Sequence, residues 1–216
     1  MEEMAQEKKI GLVGRMLRVF YAPAQTFEGV RRQHSWLDWF VPTLVVIIAT
    51  VFSSNYIMPI FQLQLENTPA GMPEHMWIVN MLALPVTIFT ILFSGGLFIF
   101  LGVRFALGCE VSYAQMLAVF AYTSLLTIAE LGLGALFYLG RLDATISLGL
   151  LLPEDMLKTF VGQFINGLTP FTLWRIYLVA IAITVIGNLA FRKAAISALV
   201  LWILWLFILL AIYSNN

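Results

Sequence analysis

Residues 77–103 read WIVNMLALPVTIFTILFSGGLFIFLGV, without one Asp, Glu, Lys, Arg or His. Hydrocarbon ~30 Å thick is crossed by a helix rising 1.5 Å per residue, so ~20 mostly apolar residues suffice to span a bilayer. This stretch is therefore a transmembrane helix, and working outward from it finds four more. Trp39–Leu65 is uncharged and usable as roughly 40–60, and Tyr113–Tyr138 is interrupted only by Glu130. Phe171–Phe191 carries Arg175 near its start, and Ala194–Tyr213 closes the set. These runs do not alternate and far exceed the length of barrel strands. The fold class expected is an all-α membrane protein, a bundle of five transmembrane helices.

Composition agrees. Of 216 residues, 61% are hydrophobic and 11% charged, with a mean hydropathy of +0.90. A water-soluble domain carries about 45–50% apolar and about 25% charged residues, so a soluble enzyme with one core is excluded. Twelve basic residues balance twelve acidic ones, which argues against a nucleic-acid partner. One cysteine, Cys109, leaves no disulfide framework and no thiolate metal cluster.

Placing the basic residues orients the chain. Lys8, Lys9, Arg15, Arg18, Arg31, Arg32, Arg104, Arg192 and Lys193 fall on one side, and only Arg141, Lys158 and Arg175 on the other. The side richer in Lys and Arg is the cytoplasmic one, so the N-terminus is expected inside a cell (inner) membrane and the C-terminus outside. Trp36 and Trp39 fit an inner aromatic belt, and Trp77, Tyr138, Trp174 and Tyr213 an outer one. Trp202 and Trp205 fit neither and read as packing residues near mid-membrane.

Two regions lie outside the spans. Residues 1–35 form a cytoplasmic segment ahead of the transmembrane domain, 36–216. In it Ile10, Val13, Leu17, Phe20, Ala24 and Phe27 recur at helical spacing, away from Lys9, Arg15 and Arg18. This predicts an amphipathic interfacial helix with Lys8, Lys9, Arg15, Arg18, Arg31 and Arg32 as membrane-surface basic residues near anionic headgroups. Packing under the bundle is the competing reading. Pro23 should break this helix and open a second. Between Gly140 and Pro170, Pro153-Glu154-Asp155 is a helix start, and Leu157, Phe160, Val161, Phe164 and Leu168 form a stripe ending at Gly167. A short outer-face helix is expected there.

The run Thr169-Pro170-Phe171-Thr172-Leu173-Trp174-Arg175-Ile176-Tyr177-Leu178, followed by Arg192-Lys193-Ala194-Ala195, resembles the closing pattern of bacterial Yip1-domain proteins. In that pattern Phe-x-x-Trp opens one helix and Lys-Ala the last. Tyr21-Ala22-Pro23-Ala24-Gln25-Thr26-Phe27 is similar to their Pro-x-x-x-Phe segment, and Tyr113-Ala114-Gln115-Met116-Leu117 to the entry of their third helix. The likeness runs from about residue 15 to 213 and implies the five-helix fold. Eukaryotic members of the family are linked to Rab GTPases and vesicle traffic, whereas bacterial members carry no agreed activity. The acidic N-terminal tail and Asp-Leu-Tyr-Gly-Pro-like motif of the eukaryotic members are not evident in this sequence, so the resemblance implies a fold and not Rab binding.

Glu130 is the residue most informative about function, because a carboxylate inside a membrane helix is expensive. Thr123, Thr127 and Gly134 share its face. By helical rise Glu130, Arg175 and Asn55 all fall in the outer third of the membrane, which predicts a Glu130–Arg175 pair with Thr127 and Asn55 nearby. One reading of this cluster is a site for an ion, proton or lipid headgroup. The other, which is favoured, is an ion pair fixing helix register, or Arg175 snorkelling. The small-residue stripe Ala180, Thr184, Gly187 and the Ser94-Gly95-Gly96 run read as packing devices. His34 and His75 lie on opposite sides, Asp38 and Asp143 lie outside the spans, and no Walker, His-Glu-x-x-His or Gly-x-Ser-x-Gly motif occurs. An enzyme is not expected, nor any cofactor. The expected function is that of a non-catalytic, membrane-organising or interaction component, its partners being the lipid bilayer and other membrane proteins or a second copy. The alternative is a small channel, transporter or lipid-translocating protein using Glu130.

Overall fold

A computed structural model describes residues 11–57, 74–139 and 147–214. Lys8, Lys9, Arg141, Asp143 and most of the loop after the first span lie outside these residues, as do the side chains of His75, Trp77, Tyr138 and Tyr213. The described chain is helical: α1 (Leu12–Arg18), α2 (Pro23–Arg32), α3 (Leu37–Phe52), α4 (Glu74–Leu101), α5 (Tyr113–Ser124), α6 (Leu126–Leu139), α7 (Glu154–Leu157), α8 (Phe160–Asn166), α9 (Pro170–Gly187) and α10 (Phe191–Ser214). A π turn, Ser53–Ile57, extends α3, and another, Gly102–Ala106, extends α4. Five stretches are long and apolar enough to cross a membrane: Leu37–Asn55, Met81–Ala106, Tyr113–Leu136, Pro170–Gly187 and Phe191–Ile208. The protein is a multi-pass membrane protein.

The third span is two helices rather than one. At the break the Thr123 and Ser124 hydroxyls donate to the Phe120 carbonyl at 2.9 and 2.8 Å. The Leu125 amide bonds Tyr122 three residues back, at 3.2 Å. Hydroxyls that compete for backbone acceptors bend a helix in this way. Local sequence sets the other ends. Ser112 and Gln115 form a reciprocal capping box on α5. Thr169 caps α9 just before Pro170, and Asn188 closes α9 in the left-handed conformation, φ 52°.

α5 is the central helix, with Met116, Ala118, Val119, Ala121 and Tyr122 buried, and it touches α3, α4, α9 and α2. The close approach of α4 requires Gly95 and Gly96: a Cβ at either would collide with Phe120 or Leu117 of α5. α10 is peripheral and packs chiefly on α9.

The N-terminal segment is two helices broken at Pro23, as the proline predicts. Val13 and Leu17 of its apolar stripe are exposed (68% and 60%), as lipid-facing residues would be. Phe27 of the same stripe is fully buried, as are Val19 and Val30, because α2 packs on α9 and α5. The segment therefore packs one apolar side on the bundle and leaves another exposed. At the opposite face the stripe from Pro153 is two short helices, α7 and α8, with Thr159 breaking the run and capping α8 through the Gly162 amide at 3.1 Å. Phe160 and Phe164 of α8 meet Phe207 and Trp202 of α10, with ring centroids 5.1 and 5.7 Å apart.

Candidate functional site

Glu130 projects from α6 and Arg175 from the second turn of α9. Arg175 Nη2 donates to Glu130 Oε2 at 2.7 Å and to Thr127 Oγ1 at 2.9 Å. Thr127 and Glu130 are three residues apart, so one helix face presents both acceptors to one guanidinium. The pair keeps about a third of each side chain exposed, 36% for Glu130 and 32% for Arg175. Among the described residues Arg175 Nε and Nη1 donate to no acceptor, and Glu130 Oε1 accepts from no donor.

Asn55 does not join the three. Its Nδ2 donates to the Val51 carbonyl at 2.9 Å, and its Oδ1 is buried without a hydrogen-bond partner among the described residues. The depth expected for Asn55 fixes only a height along the bundle. Asn55 itself lies within the π turn Ser53–Ile57.

Arg175 also lines a cavity of about 360 Å³ between α4, α5, α9 and α10. At the Arg175 end the wall includes Thr127 and Thr172. Further in it is apolar, with Ile99, Val179 and Ala198 set against Phe98, Trp202 and Trp205. Between Thr172 and Val179 the α9 wall rises about 10 Å. The two tryptophans that fit no aromatic belt are thus cavity-wall residues, and Trp205 also packs on Phe98 with centroids 5.5 Å apart. A volume in the range that holds small ligands, apolar with a few convergent polar groups, is the usual form of a binding site.

A second polar cluster escaped the sequence reading. Asp38 was expected outside the spans, but it sits in the first turn of the first span and is completely buried. Its carboxylate accepts from Tyr122 Oη at 2.7 Å and from the Ser35 amide at 2.8 Å, and it pairs with Arg15 Nη2 at 3.0 Å. Arg15, expected among the membrane-surface basic residues, is instead only 14% exposed. A buried carboxylate needs a counter-charge and donors: α1 delivers the counter-charge through Arg15, and Tyr122 and the Ser35 amide supply the other donors. The Arg15 side chain crosses α2 over Gly29, where a Cβ would stand 3.1 Å from its Cδ. The Arg15 carbonyl accepts from Thr26 Oγ1 at 3.2 Å. Arg18, Arg31 and Arg32 stay at the surface, where Arg18 bonds Gln25 and Glu28 pairs with Arg31 and Arg32. The one available sequence signal was an acid directly ahead of an apolar run, its tyrosine partner lying 84 residues further along, in the third span.

Cys109 lies between the second and third spans, buried against Gly187. Burial raises its thiol above the ordinary range, partly offset by the charge of Lys193. Among the described residues no three His, Cys, Asp or Glu come together as metal ligands would.

The pattern of one protein family, described as the Yip1 domain, matches residues 17–213. No curated protein and no solved structure matches the chain.

Proposed function

The chain belongs to the Yip1-domain family, and from that premise we propose that it is a non-catalytic membrane-organising component that takes a membrane amphiphile into the cavity beside Arg175. The observation that carries this reading is Arg175, which lines an apolar cavity with two nitrogens unused while Glu130 holds it from beside the cavity wall. A pair serving only to fix helix register gains nothing from bordering such a space. Passage across the membrane is the weaker reading, because the opposite end of the bundle is filled by Phe27, Val30 and Tyr122, all fully buried.

The setting of this function is a cell inner membrane, with the N-terminus cytoplasmic and the C-terminus outside. The nine basic residues on the N-terminal side support that orientation. In this reading Arg18, Arg31 and Arg32 lie toward anionic headgroups, and the exposed Val13 and Leu17 toward the lipid.

Native mass spectrometry of the detergent-solubilised full chain tests the proposal. The wild type is expected to keep a bound lipid-sized adduct that Val179→Phe, which narrows the cavity, loses while remaining folded by circular dichroism. An adduct equally populated in both proteins would refute it.

A further inference from the structure

Resting on that reading, we infer that the cavity is a site for a zwitterionic phospholipid of the ethanolamine type, its phosphate on Arg175 and its ammonium on Glu130. The charge pattern carries the inference. A guanidinium alone would select anionic headgroups, but here a carboxylate sits 2.7 Å from it, so the site has no net charge. Arg175 spends only Nη2 on its protein partners, leaving Nε and Nη1, on different edges of the guanidinium, each free to donate a single charge-assisted hydrogen bond to a phosphate oxygen. Glu130 Oε1, a bare acceptor, suits a primary ammonium, which brings three donors. Phosphate and ammonium separated by a two-carbon link match adjacent charges of opposite sign. A lone phosphate leaves Glu130 unused, and a quaternary ammonium has no proton to give it.

The rest of the cavity identifies the headgroup's source. The nearby hydroxyls are already engaged: Thr123 and Ser124 with Phe120, and Thr172 with Thr169. Beyond them the walls are apolar, with Val179, Ala198, Trp202 and Trp205. A soluble phosphoethanolamine leaves that surface uncovered, whereas an acyl chain fills it. The depth of about 10 Å along α9 takes the upper part of one chain.

The test is a competition read by native mass spectrometry, using the full chain in detergent with equimolar phosphatidylethanolamine, phosphatidylcholine and phosphatidylglycerol of identical acyl chains. The wild type is expected to retain the ethanolamine lipid about tenfold over either competitor. Glu130→Gln should bring the ethanolamine-to-choline ratio to about one while still binding phospholipid, and Arg175→Gln should reduce retention of all three. Soluble phosphoethanolamine should not displace the lipid. Circular dichroism checks folding, and Glu130→Gln, which keeps a hydrogen-bond acceptor for Arg175, carries the test even where Arg175→Gln fails to fold. Lipid retention without headgroup preference, or a preference unchanged in Glu130→Gln, overturns this inference and leaves amphiphile binding standing. Retention that Val179→Phe does not reduce is adventitious and overturns both.

Discussion

Replacing Asp38 by alanine should be among the most damaging single changes outside the cavity. In the native protein its carboxylate takes three donors, at 2.7, 2.8 and 3.0 Å. Removing it strands the Arg15 guanidinium, 14% exposed, and a fully buried Tyr122 hydroxyl. Breaking a buried ion pair from one side costs about 3–5 kcal/mol, mostly because the remaining charge is left uncompensated. The orphaned hydroxyl alone would cost about 1–3 kcal/mol. The two penalties share one network, so they overlap and do not add. The expected loss for Asp38→Ala is therefore about 3–5 kcal/mol. Tyr122→Phe, which leaves Asp38 with Arg15 and the Ser35 amide, should lose only about 1.5–3 kcal/mol. Arg15→Met with Asp38→Leu removes both charges and should recover much of the single-variant loss. Equilibrium unfolding in mixed micelles measures each value, and trypsin cleavage after Arg31 or Arg32 reports release of the hairpin. A loss below about 1 kcal/mol for Asp38→Ala, or strictly additive losses for Arg15→Met and Asp38→Leu, would refute the reasoning.

Other outcomes follow from neighbouring parts of the bundle. Cys109, the single cysteine, should be alkylated more slowly in the folded protein than in the unfolded chain. Since only the thiolate reacts and burial favours the thiol, its rate should still be rising at a pH where an ordinary thiol has levelled off. Gly96→Leu drives a side chain at Leu117, whose Cα stands 3.1 Å from the position of a Cβ, and should cost about 1–3 kcal/mol by overpacking. Reporter fusions should score the N-terminus as cytoplasmic and the C-terminus as external, and charge reversal at Arg31 and Arg32 should weaken that orientation.

The spans were legible because a membrane forces length and apolarity into the sequence itself. Residues 77–103 need no partner to be read. Glu130, Thr127 and Arg175 were also within reach, since three-residue spacing fixes a shared face and a buried acid calls for a cation. The same arithmetic gave Asn55 a depth but no partner, because helical rise fixes height and not direction, and Asn55 Nδ2 bonds the Val51 carbonyl of its own helix instead. Asp38 was read as lying outside the spans because its partners come from elsewhere: Tyr122 is 84 residues on, and Arg15 belongs to a segment whose periodicity fits an interfacial helix as well as one packed under the bundle. The break at Leu125 depended on whether two hydroxyls would turn back to the Phe120 carbonyl. Nothing in an apolar run settles that choice.

The docking of the N-terminal hairpin has a consequence for the order of assembly. The hairpin precedes these five spans in the chain, yet α2 packs on α5 of the third span and α9 of the fourth. It must therefore wait, undocked, while most of the membrane domain inserts. Arg15 and Asp38 are close in the chain, whereas Tyr122 and α9 arrive later, so completing the cluster brings an early segment onto a surface that did not exist when that segment was made.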